Sequence, residues 1–130
     1  MYGKLIYLAS PYTHEDEMVR QDRYDKVTHS TYLFMTEFGH QIFSPITYGW
    51  PIAKIGDLPT DWEYWEECCK VYVSRCQELW VLMLPGWEES TGVTAEIKYA
   101  KELGIPVNYV EWRFNIVYTE KQAKEMGYVR

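Results

Sequence analysis

The chain has 130 residues, a length that fits one domain with a core large enough to fold without metal or disulfide staples. Hydrophobic residues make up 47% and charged residues 25% of the sequence, a balance that excludes a disordered protein. Thirteen Lys and Arg residues against nineteen Asp and Glu residues give a formal charge of −6. Because phosphate backbones require a basic stripe and the sequence contains none, no polymeric nucleic acid is expected as a partner.

The sequence also indicates where the protein works. No apolar stretch reaches the ~18 residues of a membrane span, and the first residues lack the basic-then-apolar pattern of a signal peptide. Cys68, Cys69 and Cys76 are an odd number of cysteines within nine residues, which predicts reduced thiols in a cytoplasmic protein that contacts no membrane. Packing of these cysteines in a helix is favoured over a metal site, since the three histidines are scattered. No metal and no cofactor is expected.

The first half of the chain predicts two strands separated by a helix. Residues 4–9 are a short apolar run that Ser10 and Pro11 end, which is typical of a buried strand. Residues 14–38 are predicted as a helix, and residues 41–43 as a second strand. Residues 46–60 contain four glycines and prolines, so a long loop with one helical turn is expected there.

The second half continues this alternation. The predicted elements are a helix from Thr60 or Asp61 to about Cys76, a strand over 79–84, a helix from Ser90 or Thr91 to about Leu103, and a strand over 106–110. Residues 113–130 form a tail with a short apolar run at 114–118 and a charged end, and the pattern does not place them.

Strands that alternate with helices predict a single α/β domain, an open parallel sheet with helices on both faces. The strand over residues 79–84 is apolar throughout, as a central parallel strand is. Ligands of such sheets bind beyond the carboxyl ends of the strands. This rule gathers residues 10–12, 44–45 and 85–92 around one crevice.

The segment over residues 90–96 begins a helix at this crevice. Its free amide groups and the positive end of the helix dipole favour an anion, and Gly92 allows a close approach to the backbone. Glu96 can face the crevice mouth. The competing interpretation is an ordinary capping box followed by a solvated carboxylate.

Three further residues have two interpretations each. Tyr7 is either a core tyrosine or a partner for the Glu96 carboxylate, because a buried hydroxyl needs a hydrogen bond. Arg20 and Arg23 lie one turn apart on the first helix, where they can reach an anion or form surface ion pairs.

The third helix carries Asp61, Trp65 and Cys69 at a spacing of four residues, so these side chains share one face. An aromatic stripe at helical spacing is usually part of a core. Because this helix begins beside the crevice, Trp65 is also a candidate wall for a stacked base.

Several of these segments resemble a known group of proteins. Residues 7–12, 44–46, Trp65 and above all 84–97 resemble an uncharacterised bacterial and phage family. That family is similar to nucleoside 2-deoxyribosyltransferases and to 2′-deoxynucleoside 5′-phosphate N-hydrolases. The resemblance spans residues 4 to about 110 and implies a flavodoxin-like (Rossmann-like) fold in which a glutamate attacks C1′ of a nucleoside or nucleotide.

By this resemblance, Glu96 is the nucleophile and Tyr7 positions it. Ser90 stands where the transferases carry an aspartate for the sugar hydroxyl, whereas the nucleotide hydrolases carry a serine that binds the 5′-phosphate. A serine at a helix N-terminus attracts a phosphate that a carboxylate would repel. The expected substrate is therefore a nucleoside 5′-monophosphate, with hydrolysis or transfer to a second base as the outcome.

The sequence departs from the family pattern at one position. A retaining displacement needs an acid for the departing base, and the relatives carry an aspartate in the middle of the third helix. Cys69, or its neighbour Cys68, stands there in this chain, and Asp61 lies two turns earlier on the same face as a substitute. A protein that binds nucleotides without catalysis, as a sensor or a store, is the alternative function.

The complete candidate site follows from these arguments. The expected catalytic residues are Glu96, Tyr7, Asp61 and Cys69, and the expected substrate-binding residues are Ser10, Pro11, Tyr12, Arg23, Ser44, Trp65, Trp87, Ser90 and Gly92.

The resemblance also implies a homodimer or a higher homo-oligomer, because related folds complete their pockets with a neighbouring subunit. Four tryptophans fall in predicted loops or helix starts (Trp50, Trp62, Trp87 and Trp112), and they are expected either at an interface or along the crevice. Residues 114–118 are the candidate segment for crossing to the partner.

Overall fold

One sheet of five strands and five helices make up residues 3–130 in the computed structural model. The strands are β1 (Leu5–Ala9), β2 (Gln41–Phe43), β3 (Glu78–Leu82), β4 (Val107–Glu111) and β5 (Ile116–Thr119). The helices are α1 (Glu17–Glu37), α2 (Pro45–Gly56), α3 (Trp62–Arg75), α4 (Thr91–Glu102) and α5 (Glu120–Glu125), with a 3₁₀ turn at Trp87–Glu89.

The strand order is β2-β1-β3-β4-β5, and the first four strands run parallel. This is the strand order of flavodoxin-like folds, so the expected α/β fold is confirmed. β3 lies at the centre of the sheet, between β1 and β4, and all five of its residues are buried. Its four apolar residues, 79–82, contact a layer of helices on each side of the sheet.

Helices cover both faces of the sheet, as the alternation of elements predicts. On one face, Phe34 of α1 belongs to the same buried cluster as Leu8 of β1 and Leu82 of β3. On the opposite face, α3, α4 and α5 bury Val73, Ala100 and other small side chains against the sheet. Successive strand residues point to opposite faces, so β1 and β3 contribute to both clusters.

The long loop expected over residues 46–60 is wrong, because a helix of 12 residues, α2, occupies most of it. Ser44 caps this helix by accepting a hydrogen bond from the Thr47 amide at 3.1 Å, and Pro45 stands in the first turn, where a missing N–H costs nothing. Pro51 removes one internal hydrogen bond. Packing compensates for it, since Trp50 stacks on Tyr24 of α1 with ring centroids 4.1 Å apart.

The tail over residues 113–130 packs on its own chain. Residues 116–119 form β5, which pairs antiparallel with β4, and α5 follows with Ala123 fully buried. The segment that the sequence did not place is therefore the edge strand of the sheet, with one edge paired to β4. A contact of residues 114–118 with a partner stays a prediction, as does the homodimer.

None of the helices within residues 3–130 combines the length and the apolar character that a bilayer crossing requires.

The position of β3 predicts a large penalty for a cavity in that strand. Leu82 has no exposed surface, whereas Ile55 on α2 is 91% exposed. We expect Leu82→Ala to lower the free energy of unfolding by about 2–5 kcal/mol, and Ile55→Ala to change it by less than ~0.5 kcal/mol. Urea denaturation of the two variants measures both values, and equal losses would contradict the central placement of β3.

Candidate active site

A cavity of ≈ 480 Å³ opens beyond the carboxyl ends of β1, β2 and β3. Ser10 enters it from the loop after β1, Ile46 from the start of α2, and Glu96 from α4, the helix that follows β3. In sheets with this strand order, the crevice between β1 and β3 is where the connections diverge and ligands bind. The fold therefore forms a pocket at the place where the sequence predicts one.

The carboxyl group of Glu96 forms the floor of this cavity. Glu96 lies in the second turn of α4 and is only 5% exposed, yet it lines the cavity. It accepts a hydrogen bond from the hydroxyl of Tyr7, which is fully buried in β1. Burial raises the pKa of Glu96 to about 8, and the hydrogen bond from Tyr7 partly offsets that rise.

Cys69 lies beside Tyr7 rather than in the cavity. The residue sits on α3, is 4% exposed and does not line the cavity, and its thiol neighbours the Tyr7 hydroxyl. Burial raises the pKa of the Cys69 thiol to about 12. Burial also raises the pKa of Tyr7 well above its ordinary value. Both groups therefore stay protonated near neutral pH, and Cys69 is not brought to the cavity that the other predicted residues line.

The N-terminus of α4 forms one side of the cavity. The Ser90 hydroxyl caps the helix by accepting a hydrogen bond from the Val93 amide at 3.2 Å. A Cβ atom at Gly92 would lie 3.3 Å from the indole ring of Trp62. Glycine is therefore needed at this position to seat an aromatic wall as well as to let a ligand approach the backbone.

Ser10 presents an unused polar group to the cavity. The residue is 6% exposed, and its hydroxyl has no hydrogen-bond partner among the described residues. A buried hydroxyl without a partner costs about 1–3 kcal/mol. A ligand that reaches this hydroxyl removes that penalty, so Ser10 marks a polar contact point within the site.

Tryptophan side chains form the apolar walls of the cavity. Trp50 of α2 and Trp62 and Trp65 of α3 all line it. Trp65 is fixed by its indole N–H, which donates to the Pro59 carbonyl at 2.7 Å. Gly49 of α2 makes room for it, since a Cβ there would lie 3.3 Å from the Trp65 ring.

The rim of the cavity is acidic. Asp61, Glu63 and Glu89 line it and are exposed, and none of the three carboxylates forms an ion pair within residues 3–130. No Lys, Arg or His is found among the described residues that line the cavity. In the same part of the chain, no group of three His, Cys, Asp or Glu side chains is placed to hold a metal ion.

Seven of the predicted site residues line the cavity, namely Ser10, Tyr12, Asp61, Trp65, Ser90, Gly92 and Glu96. Tyr7 lies beneath it and reaches it through Glu96. Among the residues that sequence reasoning missed are Glu63, Glu89 and Gly49. The acidic rim carries no motif, and Gly49 has no visible role until residues 45–56 are known to be helical.

Four predicted residues do not line the cavity because each is used elsewhere. Arg23 donates to the backbone carbonyls of the first loop and of Pro85, at 2.9–3.3 Å. Ser44 caps α2, and Pro11 is buried. Trp87 packs against a tyrosine of β4, with ring centroids 5.8 Å apart.

The raised pKa of Glu96 predicts that the folded protein loses stability as the pH rises. In the unfolded chain the pKa of a glutamate is about 4.3, whereas in the folded protein that of Glu96 is about 8. Between these values the folded state holds a proton that the unfolded state has released. The stabilisation is therefore complete below the lower value and is lost as the pH rises through the higher one, by up to ~1.4 kcal/mol per pH unit.

Denaturant unfolding of the wild-type protein and of Glu96→Gln, across the pH window between the two pKa values, measures this loss. The difference between the two proteins isolates Glu96, because all other titrating groups are shared. A difference that stays constant across the window would contradict the assigned burial of the carboxyl.

Removal of the Tyr7 hydroxyl is expected to raise the pKa of Glu96 further. Tyr7→Phe keeps the ring and deletes the hydrogen bond that favours the ionised carboxylate. Carbon-13 NMR titration of the glutamate carboxyls measures the shift. Tyr32→Phe, at an exposed position on α1, is the matched control, and a lowered pKa of Glu96 in Tyr7→Phe would contradict the geometry.

Comparisons with known proteins place the chain in a family. One solved structure that it resembles is described as a 2-deoxyribosyltransferase from Bacillus psychrosaccharolyticus, at 21% identity and a TM-score of 0.49, with 82% of this chain and 71% of that chain covered. We draw no functional conclusion from a likeness at this level. No curated protein matches the sequence. Residues 4–112 match the family described as a domain of unknown function (DUF1937), and the chain therefore belongs to that family.

Proposed function

We propose that the protein cleaves the N-glycosidic bond of a nucleoside or a nucleoside 5′-monophosphate, with Glu96 as the nucleophile at C1′. The observation that carries this proposal is the buried Glu96 carboxyl, held by Tyr7 at the floor of a tryptophan-lined cavity. The resemblance of residues 7–12 and 84–97 to glycosyl-transferring and glycosyl-hydrolysing families supports the same chemistry.

The reaction would proceed by two displacements at the sugar. The Glu96 carboxylate attacks C1′ while the bond from C1′ to the base breaks, and a sugar ester of Glu96 forms. Water then attacks C1′ in hydrolysis, or a second base does so in transfer, and the carboxylate is released. Tyr7 holds the carboxyl in place, and the burial of Glu96 deprives it of the hydration that would weaken it as a nucleophile.

The tryptophan walls are suited to the flat base of such a substrate. An aromatic ring gains stacking energy against Trp62 and Trp65, and in this proposal the sugar lies next to Glu96. The free hydroxyl of Ser10 is suited to a sugar hydroxyl, since it is buried and lacks a partner.

Two physical effects act in opposite directions on a 5′-phosphate, so nucleosides and their 5′-monophosphates both belong in the test. Ser90 and the N-terminal amides of α4 favour a phosphate. The carboxylates of the rim oppose it, because no basic side chain among the described lining residues balances them.

In this proposal Asp61 relays a proton from solvent water to the departing base. Asp61 lines the cavity, whereas Cys69 does not, and the burial of Cys69 raises its thiol pKa to about 12. The position of Cys69 outside the cavity favours a second candidate function. A site without an acid at the position of Cys69 can bind a nucleotide as a sensor or a store without releasing its base.

A panel of ribo- and deoxyribonucleosides and their 5′-monophosphates, monitored by chromatography for free base, tests the proposal. We expect release of base from at least one compound and a loss of at least ~10³-fold in rate for Glu96→Gln. Glu37→Gln, an exposed position at the end of α1, is the matched control and should keep the wild-type rate.

Two outcomes would contradict the proposed reaction. Full activity in Glu96→Gln would remove the nucleophile from the mechanism. Binding of a nucleotide by calorimetry without any release of base would favour the sensor or store instead.

A further inference from the structure

We infer that the preferred substrate is a nucleoside whose base carries a fixed positive charge, such as an N-alkylated purine or a pyridinium ring. The inference rests on the proposed function, because it names the substrate class of that same cavity. The observations that lead to it are the charge of the rim, the nature of the walls, the unpartnered hydroxyl of Ser10 and the position of Cys69 outside the cavity.

The rim carries carboxylates that form no ion pair. Asp61, Glu63 and Glu89 are exposed and unpaired within residues 3–130, and Glu96 adds a fourth carboxyl at the floor. Arg20 and Arg23 do not line the cavity, and both donate to backbone carbonyls of the first loop. A cationic ligand is attracted to such a cavity, and an anionic one is repelled.

The walls are of the type that binds cations. The electron-rich face of an indole attracts a positive charge. Trp50 already exhibits this behaviour, because the Lys54 ammonium lies 4.2 Å from the centre of its ring. Lys54 contacts Trp50 and does not line the cavity. Trp62 and Trp65 do line the cavity, and they are the rings that a cationic ligand would contact.

The unpartnered hydroxyl of Ser10 indicates that this cavity accommodates a ligand rather than being a gap in the packing. Ser10 lines the cavity, and its buried hydroxyl has no partner among the described residues. An acidic rim without such a group would be an ordinary solvated surface.

The leaving-group chemistry points to the same substrate class. A neutral base departs with a negative charge unless an acid protonates it. The thiol at the position of the relatives' acid, Cys69, does not reach the cavity. A cationic base needs no acid, because the electron pair of the broken C1′–N bond neutralises its positive nitrogen and the base leaves uncharged.

The remaining atoms and charges balance without a further group. The Glu96 carboxylate forms the bond to C1′, and water later attacks C1′. The bond between C1′ and Glu96 then breaks, its electron pair restores the carboxylate, and the proton of the water passes to solvent. In this reaction Asp61 acts as a fixed negative charge at the rim rather than as a proton donor.

A cationic substrate also favours the reactive form of the nucleophile. Burial raises the pKa of Glu96 to about 8, so much of it is protonated at neutral pH without ligand. A positive charge in the same cavity lowers that pKa, whereas a neutral ligand that expels water raises it.

Matched pairs of ligands test the inference by calorimetry with wild-type protein. The pairs are 7-methyladenosine with adenosine, and the riboside of nicotinamide with its uncharged dihydro form. We expect each cation to bind at least ~10-fold more tightly than its neutral partner, and the ratio to shrink as salt rises from ~20 mM to ~500 mM. The first pair tests purines and the second tests pyridinium rings.

Substitutions of the rim carboxylates test whether the cavity is the source of the preference for cationic ligands. The double substitution Asp61→Asn with Glu89→Gln is expected to reduce the ratio of cation binding to neutral binding by at least ~3-fold. Asn is also a good helix cap, and Asp61 makes no side-chain capping bond, so folding should be preserved. Glu37→Gln removes one charge far from the rim and should leave the ratio unchanged.

The outcomes separate this inference from the proposed function. Equal or tighter binding of the neutral partners, or no binding of either cation, overturns the inference even if free base is released from other nucleosides. A preference for cations without any release of base overturns the proposed reaction and leaves the ligand class standing. A preference that survives in the rim variant also overturns the inference, because the charge would then be recognised elsewhere.

Discussion

The hydrogen bond between Tyr7 and Glu96 links the core of this fold to its cavity. A carboxyl group buried to this extent is costly unless it is protonated or hydrogen-bonded, and Tyr7 is the donor that the sheet provides. Tyr7 comes from β1 and Glu96 from the helix that follows β3, so the interaction requires these two strands to be neighbours. The strand order and the position of α4 are therefore prerequisites of the site.

Much of this arrangement could be predicted from local patterns. Short apolar runs ended by proline mark β1 and β3, a serine cap marks the start of α4, and the rule on strand ends gathers the loops that line the cavity. Glu96 and Tyr7 were identifiable because a buried hydroxyl and a carboxyl near one crevice satisfy each other. These inferences depend on residues close together in sequence or on a general rule of parallel sheets.

The remaining features depend on tertiary packing that no local pattern contains. Pro51 and two glycines favour a loop, but stacking of Trp50 on Tyr24 and a serine cap make residues 45–56 helical. The tail pairs with β4 because that edge was free, which residues 113–130 alone do not reveal. Cys69 shares a face of α3 with Asp61 and Trp65, as the spacing predicts. It packs beside Tyr7 and does not line the cavity, which the spacing alone does not reveal.

Gly49 and Gly92 affect the width of the cavity, whereas its polar groups determine its chemistry. Each one faces an indole ring at a distance where even a single methyl group would touch it, Gly49 against Trp65 and Gly92 against Trp62. The two glycines thus let α2 and α4 pack closely against the tryptophans of α3, which also form the walls of the cavity. Replacing either glycine by a larger residue would shift an indole ring and change the width of the cavity, while the Glu96 carboxyl would stay in place. The size of ring that fits this cavity can therefore change without moving Glu96.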